Sequence, residues 1–173
     1  MPSPVGHALG AMAVGWLATG TAGPSADRVR RSLWLAGIGL VPDLDLLIGR
    51  HSAETHSVGA AFIAASIAAA MRWPLAATRV RIFAAVLLAW LSHPILDWLG
   101  SDTSLPLGVM ILWPLSSAHY LSDAEVFLPI TRRWWLAGFV THTLAAVGRE
   151  LVVLGPLVVL SWVAMRRTPR YRS

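Results

Sequence analysis

The sequence predicts an all-α fold: an integral membrane helical bundle of about four to five transmembrane helices with a long non-cytoplasmic loop, forming one domain over residues 1–173. Three observations predict it. Hydrophobic residues make up 55% of the chain and charged residues only 13%, where a soluble domain carries roughly 25% charge, and the mean hydropathy is +0.60. The apolar residues fall into runs near the length of a membrane span. All 14 basic residues are arginine, and most sit in short clusters between those runs.

The runs cover residues 5–22, 33–48, 58–71, 82–100 and 151–165, with a mixed stretch over 134–147. A span needs about 17 to 25 residues, so the first and fourth qualify by length, while the second, third and last are short. The third is rich in Gly, Ala and Ser, which suits close helix packing inside a bundle. The first six residues carry no charged side chain, unlike the start of a cleavable signal peptide, so the N-terminus is expected to be retained together with His7. Residues 101–131 contain Pro106, Pro114 and Pro129 without a helical period and read as a loop or lid with short helical turns. Trp134 and Trp135, beside Arg132 and Arg133, read as an interfacial anchor.

Arginine placement gives an independent topology. Arg28, Arg30 and Arg31 follow the first run, Arg72, Arg79 and Arg81 the third, and Arg166, Arg167, Arg170 and Arg172 the last, which marks that side as cytoplasmic. The sequence pI near 11.2 is thereby assigned to topology rather than to nucleic-acid binding. Without cysteine, disulfides, thiolate metal sites and iron–sulfur clusters are excluded, and a metal must be held by imidazole and carboxylate.

Groups of that kind recur at the other, non-cytoplasmic end. His7 opens the first run; Asp43 and Asp45 follow Pro42 near the end of the second; His51 and His56 lie between the second and third; His93 and Asp97 close the fourth. His93 and Asp97, four apart, share a helix face, although Pro94 could start a new turn there. Taken singly, each has an ordinary reading: an intrahelical His–Asp hydrogen bond, an Asp at a turn or cap, a solvated loop histidine. An ionised carboxylate near the end of an apolar run is costly unless compensated, and two carboxylates within three residues raise each other's pKa unless a cation lies between them. Together, imidazoles and carboxylates from four segments form a donor set for zinc, manganese or iron. His119, Asp123 and Glu125 read as solvated, His142 as structural, and Glu150 as either an interfacial charge or a group facing the bundle interior.

On His7, Pro42-Asp43-Leu44-Asp45, the 51–57 block ending Thr55-His56-Ser57, Ser92-His93-x3-Asp97 and Gly108-Val109-x3-Trp113-Pro114-Leu115, the sequence resembles the YdjM-type inner-membrane metal-dependent hydrolases, a bacterial family distantly related to zinc-dependent phospholipases C. Ser52 and Ala53 stand where that family usually has Arg and Gly, with Arg50 as a possible substitute for the missing base. A later His-x3-Glu pair of the phospholipases is absent, since Ala146 is the fourth residue after His142, which points to one or two ions.

The resemblance implies a multi-pass enzyme of the bacterial inner membrane whose site faces the non-cytoplasmic side and acts on a phosphoester, such as a phospholipid head group. His7, Asp43, His56, His93 and Asp97 would hold the metal, zinc first, and Asp45 or His51 would orient the attacking water or take its proton. The residues by themselves leave two other readings open. One is a membrane transport or metal-binding protein using the same cluster; the other is a metal that only clamps helix ends. The oligomeric state is not fixed by the sequence.

Overall fold

The computed structural model describes residues 1–19, 25–130 and 133–167. Five α-helices are found there: α1 (Pro4–Thr19), α2 (Ser25–Leu40), α3 (Val58–Ala70), α4 (Arg79–Trp98) and α5 (Phe139–Arg167), with no named strand among the described residues. Two 3₁₀ segments, Val41–Ile48 and Glu54–His56, join α2 to α3. Arg132, Arg170 and Arg172 lie outside the described residues.

Helix α4 is the central post, packed against α1, α2 and α3, while α1 also contacts α2 and α5. Helix α5 lies along α1, and its Leu154 shares a small apolar cluster with Leu96 of α4 and Phe127. Two helices, α4 and residues 139–165 of α5, are long and apolar enough to cross a membrane; α3 is apolar but short. The outer face of α5 leaves Val140, Leu144, Leu151, Val152, Val159 and Leu160 exposed.

Local chemistry explains the boundaries. Pro42 falls within the first two positions after α2, and the chain continues as a 3₁₀ segment closed by Gly49 at φ 71°, a left-handed position that favours glycine. Ser57 caps α3, its hydroxyl accepting from the Ala60 amide at 3.0 Å, and Thr78 caps α4 by accepting from Arg81 at 3.3 Å. Two expectations are corrected. Pro94 does not start a new turn, because α4 runs through it unbroken. The mixed stretch and the last apolar run are one helix from Phe139, not separate segments, because Glu150 between them is fully buried and hydrogen-bonded to Ser3.

The core divides by depth. Ala11, Trp16, Leu35, Ala65, Leu75, Ile82, Ala85 and Met165 form an entirely apolar cluster. It lies toward the ends where α1 and α3 finish and α2 and α4 begin, which is also where Arg28, Arg30, Arg31, Arg72, Arg79 and Arg81 lie in the chain. All the His and Asp candidates sit at the opposite end.

The loop after α4 is pinned there by backbone hydrogen bonds. Val109 and Tyr120 bond reciprocally, Ser101 donates to Phe127, and Met110 donates to Ser52. Trp113, in the segment read as a loop or lid, accepts through its carbonyl from the Gly59 amide at 3.0 Å and so lies on the first turn of α3.

Candidate metal centre

Four chain segments bring their polar groups to one point. His7 comes from the first turn of α1, Asp43 and Asp45 from the 3₁₀ segment after α2, His56 from the turn before α3, and His93 and Asp97 from the last turns of α4. His7, His56, His93 and Asp97 are each at most 1% exposed. The Asp43 side chain is 31% exposed and forms the open edge.

The donor atoms are spaced for a single ion. His56 Nε2 and His93 Nε2 lie 3.1 Å apart. Asp97 Oδ2 is 3.1 Å from His93 Nε2 and 3.6 Å from His56 Nε2. Asp43 Oδ1 is 3.6 Å and 3.8 Å from the same two nitrogens. A tetrahedral shell with bonds of about 2.0–2.2 Å separates its donors by about 3.3–3.6 Å, so the observed spacings bracket that requirement. His7 Nε2 lies 3.3 Å from Asp97 Oδ1, and its ring stacks on His93 at 3.6 Å between centroids and 14° between planes. Two triads can be drawn, His7–Asp43–His93 and His56–His93–Asp97. Both include His93, so they are parts of one centre.

The far nitrogens of two imidazoles are already engaged. His93 Nδ1 is 2.6 Å from the Gly39 carbonyl oxygen, which can only accept, so Nδ1 carries a proton and Nε2 is the nitrogen turned toward the cluster. His56 Nδ1 faces Asp45 Oδ2 at 3.2 Å and Thr55 Oγ1 at 3.1 Å, while Thr55 Oγ1 donates to the same Asp45 oxygen at 3.0 Å. The consequence is that two Nε2 atoms face each other at 3.1 Å beside buried carboxylate oxygens. Among the described residues the Asp97 oxygens make no hydrogen bond of regular geometry, lying 3.3 Å from His7 Nε2 and 3.1 Å from His93 Nε2. Buried carboxylates beside imidazole nitrogens need a neutralising cation, which a metal ion or imidazole protons supply. These buried His and Asp groups could therefore hold a metal ion.

Burial works to raise the Asp43 carboxyl, but the imidazoles of His56 and His93, with Nε2 atoms 3.8 and 3.6 Å from its Oδ1, outweigh it and hold Asp43 well below the usual carboxylate range. Asp45 follows the same pattern, with burial opposed mainly by the hydrogen bond from His56. At His56, burial favours the neutral ring, yet Asp43 and Asp45 together raise its pKa above the ordinary 6.5.

A cleft of about 760 Å³ opens from this centre, with His7, Asp43 and His51 on one wall and Asp102, Leu105, Ile130 and Arg133 on the others. His51, expected to handle water, lines the cleft but stays outside the donor cluster, its ring 6.3 Å from that of His56. Asp45, given the same expectation, is buried behind His56 and contacts that ring and Thr55. Asp123 and Glu125 are exposed, His119 is half-buried, and His142 Nε2 bonds to the Pro129 carbonyl at 2.7 Å. Residue reading missed Gly39, whose contribution is a backbone carbonyl. The available signal was its place near the end of α2, where a Cβ would meet Ala11 Cβ and the His7 carbonyl.

Fold and centre define a small all-helical membrane protein with a buried imidazole–carboxylate cluster at one end of its bundle. The chain belongs to the YdjM inner membrane protein family, which it matches over residues 1–172. No curated protein and no solved structure matches it.

Proposed function

We propose that the protein is a metal-dependent hydrolase of the bacterial inner membrane, acting on a phosphoester at the cleft beside Asp43. The observation that carries this reading is the convergence of His56 Nε2, His93 Nε2, Asp97 Oδ2 and Asp43 Oδ1 within 3.1–3.8 Å. Asp43, half-exposed on the cleft, is the ligand beside which water or substrate would reach the ion. His7, Asp43, His56, His93 and Asp97 would hold one ion, zinc suiting this donor set best. When bound, it supplies Lewis acidity to the phosphoryl oxygen and lowers the pKa of water. His51, which lines the cleft, would accept a proton from that water, and Asp45 would hold the ring of His56.

Four to five helices cross the membrane in this reading, with the centre on the non-cytoplasmic side. The arginine-rich opposite end supports the orientation, and the exposed apolar faces of α3 and α5 support lipid contact. Exposed Leu47, Ile48 and Leu105, flanking cleft residues in sequence, suit a substrate reached from the membrane surface, such as a phospholipid head group.

The test uses protein purified in detergent. Bound metal and phosphoester or phospholipid cleavage are measured for wild type, His93→Ala and Asp43→Ala. One metal per chain in the wild type, lost with turnover in both variants, is the expected result. Metal without turnover on any ester would replace this reading with a structural clamp or a transport protein.

A further inference from the structure

Glu150 is fully buried in α5, inside an apolar helix face, and the proposed chemistry makes no use of it. An ionised carboxylate inside an apolar span is costly unless compensated, so its partners need an account. Its Oε1 accepts from the Ser3 amide and its Oε2 from the Ser3 hydroxyl, both at 2.5 Å. The Ser3 hydroxyl also accepts from the Gly6 amide at 3.3 Å, and the Ser3 carbonyl accepts from the His7 amide at 3.1 Å. Ser3 is thus the cap of α1, and Glu150 holds that cap from a neighbouring helix, where its charge also complements the positive end of the α1 dipole. Gly6 makes room for it: a Cβ there would lie 2.8 Å from Glu150 Oε2.

The three imidazoles of the centre are not held alike. His93 and His56 are oriented through their Nδ1 atoms, by Gly39 and by Asp45 with Thr55. His7 Nδ1 has no hydrogen-bond partner among the described residues. Its ring is placed by the Asp97 contact at Nε2, by stacking on His93 and by its own backbone, and that backbone is the turn Glu150 fastens.

We infer that Glu150 is a positioning residue for His7, acting across the α1–α5 contact through Ser3. This rests on the metal reading above. The experiment uses full-length protein in detergent with Co²⁺ as probe, whose visible absorption reports the ligand set. Wild type is expected to bind one Co²⁺ per chain. Glu150→Ala should shift the spectrum to that of His7→Ala with about a 10–100-fold loss of affinity, and the double variant should be no weaker than His7→Ala alone. Glu150→Gln, which keeps an acceptor for the Ser3 amide, should largely restore the wild-type spectrum. Ser3→Ala should shift it in the same direction as Glu150→Ala, and decides the matter if Glu150→Ala fails to fold. A wild-type cobalt spectrum in Glu150→Ala or Ser3→Ala, with only a lower melting temperature, would overturn the inference and leave the metal reading standing. Failure of the wild type to take up Co²⁺ would remove both.

Discussion

Asp45 reaches the centre only through the ring of His56, at 3.2 Å. Asp45→Asn should therefore leave the metal stoichiometry at one while lowering affinity about 10–100-fold, as removal of an outer carboxylate commonly does; a competition titration against a chelator checks it. The same contacts set a pH dependence. His56 is raised above 6.5, so its stabilisation of the metal-free protein is complete below that value and is lost as pH rises through its folded pKa. Asp43 and Asp45 are lowered, so theirs is present above 3.8 and is lost as pH falls toward their folded values. Chelator-treated protein should melt highest between these limits, while metal affinity should climb with pH as the His56 proton leaves. Thermal melts and titrations across pH measure both. His7, Asp43, His56, His93 and Asp97 were legible as candidates because each is an ionisable group at the same end of an apolar run. The separate stations of Asp45 and His51 were not, because the reach of a carboxylate or imidazole from a loop depends on turns that spacing does not specify.

Among the elements, the close approach of α2 to α1 determines whether Gly39 can offer its carbonyl to His93. Gly39→Ala puts a Cβ against Ala11 and 2.9 Å from the His7 carbonyl oxygen. Overpacking of that kind costs about 1–3 kcal/mol, and here it should also reduce metal occupancy. Gly37→Ala meets nothing within 4 Å and should be neutral or stabilising by up to about 1 kcal/mol. Denaturation and metal content of the two variants check the contrast. The helices themselves were readable from apolar runs, with boundaries left open where a charge intervened. Glu150 read as either an interfacial charge or a group facing the bundle interior; it faces the interior and α5 continues through it, because a buried carboxylate with two donors from Ser3 no longer interrupts an apolar helix. Periodicity shows which residues are polar and is silent about partners that lie 147 positions away.

For the whole molecule, the arginine end and the His–Asp end are opposite, and the cysteine-free chain allows that to be tested directly. Single substitutions Ser104→Cys and Arg30→Cys should be labelled by a membrane-impermeant thiol reagent from opposite sides, Ser104→Cys in intact cells and Arg30→Cys only after the membrane is opened. Labelling of both from one side would end the orientation proposed here. The division of the interior carries one more consequence. Among the described residues the buried imidazoles and carboxylates occupy a single end, and the core cluster toward the other end is apolar, with no buried ionisable group in it. A reaction confined to that mouth transfers no net charge from one face of the bilayer to the other, and its turnover in sealed vesicles should not change when an electrical potential is imposed across them.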